Sequence, residues 1–112
     1  MRREIERYIP RAIEAIEKLN IVNSDGEVAK QFNGYIASFG ASVRQAGLLA
    51  TVLFYGNANH KAEKEREKVV KAIELMIGHN IVNNNCVEKL TRAKVENAAI
   101  ALKLAIRTYK LV

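Results

Sequence analysis

Tryptophan is absent from this sequence, cysteine and proline occur once each, and aromatic residues make up only 6% of it. Each scarcity excludes something. With Cys86 alone no internal disulfide can form, and a lone thiol suits a reducing compartment, so a cytoplasmic protein is expected. Few aromatics leave little with which to stack nucleic-acid bases. The longest nearly pure apolar run, Ala46 to Tyr55, is about half the roughly 20 residues a spanning helix needs, and MRREIERYIPR has no apolar segment of the signal-peptide kind. Neither membrane insertion nor export is expected. The motifs G-x-x-x-x-G-K-[ST], G-x-G-x-x-G and H-E-x-x-H are missing, as is any cysteine pair. His60 and His79 stand singly beside turns, Cys86 reads as an inert thiol, and no two carboxylates are set apart for acid–base work. A non-enzyme without cofactor or metal is the expectation.

What is present is helical pattern. At 112 residues the chain fits one domain, residues 1–112, able to bury a real core. Ile5, Ile9, Ala12, Ile16 and Leu19 recur at spacings of four and three, the one-faced pattern of an amphipathic helix, with a kink expected at Pro10. Ser24 and Glu27 form S-x-x-E ahead of Val28, which predicts a second helix starting there, with Val28, Phe32, Tyr35 and Phe39 facing inward and Gly40 ending it. From Ser42 to Tyr55 apolar residues fall on nearly every side, as in a helix covered all round. A charged helix is expected from Lys61 to Ile77, stopped by Gly78, with Val69, Ile73 and Met76 inside. Asn59 reads as its cap, Asn85 with Glu88 as the cap of a short turn, and Thr91 as the cap of the last helix. No stretch alternates with period two for long enough to suggest a sheet. The expected fold is all-α, a compact bundle of five or six helices. RAIEAIEKLNIVN (11–23) and KAIELMIGHNIVN (71–83) share seven of thirteen residues, from duplication or from two similar helices ending in the same turn.

Charge is unevenly placed. The chain carries a net +6, favouring acidic partners, yet residues 31–60 hold only Arg44. Residues 86–112 hold six basic groups against Glu88 and Glu96, a net +4. At about 100° per residue, Lys103, Arg107 and Lys110 fall within an arc of about 60°, with Arg92 on the same line. Val95, Ala99, Leu102, Ile106 and Tyr109 form the core stripe on one side of that line; Ile100, Leu104 and Leu111 lie on the other. Either the helix sits between two others of its own domain or the second stripe meets another protein chain, and with so few helices the partner chain is favoured. Lys61, Lys64, Lys68 and Lys71 make another stripe, for which a solvated face suffices.

The segment around residues 35–55 resembles a known family. Tyr35, Val43, Gly47, Leu48, Val52, Leu53, Phe54 and Tyr55 stand where the small, all-helical subunit of the Cmr (type III-B) CRISPR effector complex has P-x-x-I-x-x-x-G-L-x-x-x-L-A-F-(Y/L) after a tyrosine-bearing helix. Gly40 or Ala41 takes the place of the family's proline. The resemblance spans nearly the whole chain, and the small subunit of the type III-A (Csm) complex is the nearest relative with which it shares features. It implies a non-catalytic subunit in antiviral defence, stacked beside guide and target RNA, with other Cmr subunits as partners and room for self-association. The basic groups above would then be sequence-independent phosphate contacts: Arg92, Lys103, Arg107 and Lys110 first, Arg44 and the Lys61 to Lys71 stripe next. The rival readings are a self-associating helical adaptor without a nucleic-acid role and a small enzyme with an unrecognised site.

Overall fold

The computed structural model describes residues 2–55, 61–81 and 89–112, with backbone alone for Arg2, Phe54, 61–64 and 89–90. Within them lie five helices: α1 (Arg2–Lys18), α2 (Gln31–Ala46), α3 (Leu48–Tyr55), α4 (Lys61–Ile77) and α5 (Lys89–Ile106). Two short strands, β1 (Glu27–Val28) and β2 (Lys110–Leu111), join them. The all-helical expectation holds, and the two-residue parallel pair is an addition to it.

Helix α1 buries Ala12, Ala15 and Ile16 and leaves its charged residues outside, as the spacing requires. It runs through Pro10, which is exposed, rather than starting there. Its end is stopped by Asn20 in the left-handed region (φ 57°), where the Asn20 N–H reaches the Glu17 carbonyl and the Ile21 N–H reaches that of Ile16. Paired bonds of this kind satisfy the last carbonyls of a helix, and the apolar contact that accompanies them is supplied here by buried Ile16 and Ile21.

The predicted start of the second helix does not occur. Asn23 Oδ1 accepts from the N–H groups of both Asp25 and Glu27 (2.9 Å each), while Asn23 Nδ2 donates to Glu27 Oε1 (3.2 Å). This asparagine turn engages the glutamate that a capping box would need, so the chain leaves extended, not helical. The extended piece is held by the far end of the chain: Lys30 N–H donates to Val112 O (2.9 Å) and Val112 N–H to Val28 O (3.0 Å). Helix α2 begins only after that pairing.

Gly40 does not end α2 either. Phe39 and Val43, both fully buried, lie on its two sides in sequence, and their packing outweighs the roughly 1 kcal/mol that glycine costs a helix interior. The stop is Gly47 at φ 93°, its N–H on the Val43 carbonyl (3.2 Å). Ser42 to Tyr55 is therefore an elbow rather than one helix. Thr51 Oγ1 donates to Gly47 O (2.8 Å) and lies 2.7 Å from Ser42 Oγ, tying the two arms together. Nor is the second arm covered all round: Leu48, Thr51 and Tyr55 are buried, Leu53 is 58% exposed. The Tyr55 hydroxyl donates to the Tyr35 carbonyl (3.1 Å), and the ring meets Phe39 edge-on.

Helix α4 ends where expected, with Gly78 left-handed (φ 85°) and bonded to Glu74 O. Val69, Ile73 and Met76 are fully buried. Thr91 is not a cap but a buried residue in the first turn of α5, which already starts at Lys89. The caps expected at Asn59 and Asn85 lie outside the described residues. Helix α5 packs against α1, α2 and α4, and its Ala98, Ala101, Leu102, Ala105 and Ile106 are fully buried.

Three measurements test this packing. Leu102→Ala should cost about 2–5 kcal/mol in denaturant unfolding, because the site is closed on all sides. At Gly47 an added Cβ meets nothing within 4 Å, so Gly47→Ala should cost only the backbone penalty of about 1–3 kcal/mol that a φ of 93° with ψ 160° imposes on a residue with a side chain. Burial pushes the Tyr55 phenol above its ordinary 10.0, against a smaller pull from Arg66 and Ser38. Between the unfolded and the folded value only the unfolded chain has lost the proton, so stability falls as pH rises above 10.0. Tyr55→Phe should make that alkaline decline shallower.

Candidate nucleic-acid interface

The solvent arc of α5 is fixed by what its other faces bury. Thr91, Val95, Asn97, Ala98 and Ala99 turn inward, which leaves Arg92, Ile100 and Leu104 exposed and Glu96 and Lys103 half-buried. Along this arc cations occupy one edge and apolar side chains the other. Arg92 is paired with Glu96 one turn on (Nε to Oε1, 3.4 Å), an exposed pair worth a few tenths of a kcal/mol, too little to immobilise the guanidinium. Arg107 is the first residue beyond the helix, in a tight turn whose N–H groups reach back three residues.

Lys110 leaves the line that the helical projection gave it. Helix α5 stops at Ile106, and Lys110 belongs to β2, where its N–H faces Gly26 O (3.4 Å). The pairing with β1 rotates the chain out of helical register, so an angle counted at 100° per residue no longer applies. Leu111 goes with it, half-buried against the core, whereas Ile100 and Leu104 stay 42% and 45% exposed.

Across from α5, α2 contributes Arg44. Arg44 and Lys103, far apart in sequence, line one groove of about 240 Å³ between the two helices, together with Ala37, Gly40, Glu96 and Ile100. The opening exists because Ala37 and Gly40 have almost no side chain to fill it. Of the second basic stripe, Lys71 pairs with Glu67 one turn back (2.9 Å), an exposed pair like that of Arg92, and Lys68 is half-buried; the side chains of Lys61 and Lys64 lie outside the described residues. Neither Lys68 nor Lys71 lines the α2–α5 groove.

Sequence reasoning overlooked a second basic cluster, Arg7 and Arg11 on α1 with Lys94 on α5. The signal was present: Arg7 and Arg11 are four apart and share a helical face. What it lacked was the pairing of α1 with α5. Of the titratable single residues, His79 is exposed with Nδ1 2.9 Å from Asn80 O, while His60 and Cys86 lie outside the described residues. No group of three metal-ligating side chains occurs among the described residues, and no described helix is long and apolar enough to cross a membrane.

The exposure of Ile100 and Leu104 has a direct consequence for stability. Replacing both with glutamine should lower the unfolding free energy by about 1–3 kcal/mol in total, since each side chain is only a little more than half covered. A loss several times larger in urea denaturation would mean that the pair is structural.

A family model described as CRISPR-associated protein (Cas_Cmr5) matches residues 7–110. No curated protein and no solved structure matches the chain significantly.

Proposed function

The chain belongs to the CRISPR-associated Cas_Cmr5 family, and from that premise we propose that it is a non-catalytic small subunit lying beside the guide and target RNA of a type III-B ribonucleoprotein. Membership implies other Cmr subunits as partners. In the proposed role Arg44, Lys103, Arg92 and Arg107 hold RNA phosphates without reading sequence, in the service of antiviral defence.

The observation that carries this reading is the meeting of Arg44 and Lys103 in one groove. Arg44 is the one formal charge in residues 31–60, and the fold delivers it to the most basic helix. Cations on a shallow groove suit a phosphate backbone, which attracts positive charge whatever its bases. Base readout has little to work with, because Phe32, Phe39 and Tyr55 are committed to the core. The exposed apolar pair Ile100 and Leu104, beside the cations, supports a neighbouring subunit covering that edge of α5. Lys110, exposed on β2 and off the α5 line, is a lesser contact.

If each chain neutralises about three phosphates, log affinity for RNA should fall by roughly two to three units per tenfold rise in salt. A flat salt response would remove RNA from the reading and leave the self-associating adaptor, which sedimentation with and without RNA would show directly. Lys103→Glu with Arg107→Glu should weaken binding to every RNA sequence alike while the far-ultraviolet circular dichroism stays helical. Loss of helicity in that variant would make the two residues structural.

A further inference from the structure

On the α1 side of α5, away from the Arg44–Lys103 groove, lies a second cleft of about 400 Å³, within the usual range for small-ligand sites. Its walls are unlike those of a plain basic patch. Arg7 and Lys94 have no ion-pair partner among the described residues. Arg11 is already fixed: its Nη1 donates to Met76 O (3.0 Å) and its guanidinium sits 6.0 Å from the centroid of the Tyr8 ring. Asn97, only 8% exposed, donates through Nδ2 to Glu4 Oε2 (2.9 Å), which leaves a positioned carboxylate with spare lone pairs at the cleft.

We propose that this cleft binds a nucleoside 5′-phosphate, the phosphate between Arg7 and Lys94 and the base along the Tyr8 wall, with an amino or imino N–H donated to Glu4. Three features favour that chemistry. Two unpaired cations with a third held nearby suit a phosphate. An aromatic wall suits a base, whose flat face stacks without regard to sequence. The carboxylate of Glu4 would repel an acidic peptide, but it accepts the N–H groups that a purine or cytosine carries. The same chemistry is offered by a free nucleotide and by the phosphorylated end of an RNA strand. The cleft does not depend on the Arg44–Lys103 surface, so either assignment can fail alone.

The test is calorimetric titration of the full chain with AMP, GMP, adenosine, inorganic phosphate and a 5′-phosphorylated trinucleotide. At least one nucleotide should bind, and more tightly than adenosine or phosphate alone. Arg7→Ala with Lys94→Ala should weaken it by about tenfold, the loss expected from removing charge-assisted contacts on a partly exposed phosphate. Tyr8→Leu should weaken nucleotide binding without changing that of inorganic phosphate. Lys30→Ala, at an exposed position outside both clefts, should leave both unchanged. Should the double variant lose helicity, Arg7→Gln and Lys94→Gln singly carry the same test. Stronger binding of the trinucleotide assigns the cleft to a strand end; equal or weaker binding assigns it to the free nucleotide. No nucleotide binding up to about 5 mM overturns the proposal. So does inorganic phosphate binding as tightly as the nucleotides, or an Arg7/Lys94 variant that binds within twofold of the unchanged chain.

Discussion

The structure depends on the burial of α5 against three neighbours. Ala98, Ala101 and Ala105 are fully enclosed, and side chains of that size let helix backbones approach closely. Leu102 and Ile106 then supply the apolar volume between them. Because α1, α2 and α4 all close on this one helix, it has a single arc left for solvent. What that arc carries is what the protein can offer to other molecules.

Two clefts follow from the same arrangement. Where α5 meets α2, the small side chains of Ala37 and Gly40 leave a gap bounded by Arg44 and Lys103. Where it meets α1, the gap is bounded by Arg7, Arg11 and Lys94, with the Asn97–Glu4 hydrogen bond set at its edge. Helix α5 contributes a lysine to each. Positive charge is thus gathered along the seams of the bundle as well as on its exposed ridge, where a ligand would be partly shielded from salt.

Much of the fold was legible because helices announce themselves locally. The presence of α1, the extent of α4, the stop at Gly78 and the burial of Val69, Ile73, Met76, Val95, Ala99, Leu102 and Ile106 all follow from spacing. The echo between residues 11–23 and 71–83 also has a physical counterpart: Ala12 and Ala72, Ile16 and Met76, and Ile21 and Ile81 are all buried at matching positions. The misreadings share a cause. Ser24 and Glu27 satisfied a capping pattern, but Asn23 Oδ1 takes the Glu27 N–H that the serine would have used, and Val112 supplied the backbone partner for an extended chain. Gly40 looked like a stop because glycine permits one, but a permissive residue does not force the turn when Phe39 and Val43 are both anchored.

Sequence alone determined that this is an all-helical chain, that its net positive charge gathers in residues 86–112 while residues 31–60 carry only Arg44, and that it resembles a family which a model match over residues 7–110 establishes. Those properties reside in residue type and short-range spacing, which the chain carries before it folds. Tertiary structure decided which cations meet. Arg44 beside Lys103, Lys94 beside Arg7, and Lys110 drawn out of helical register into a strand are consequences of contacts between segments remote in the chain. Spacing along one helix cannot fix such contacts, because they depend on which faces of different helices bury one another.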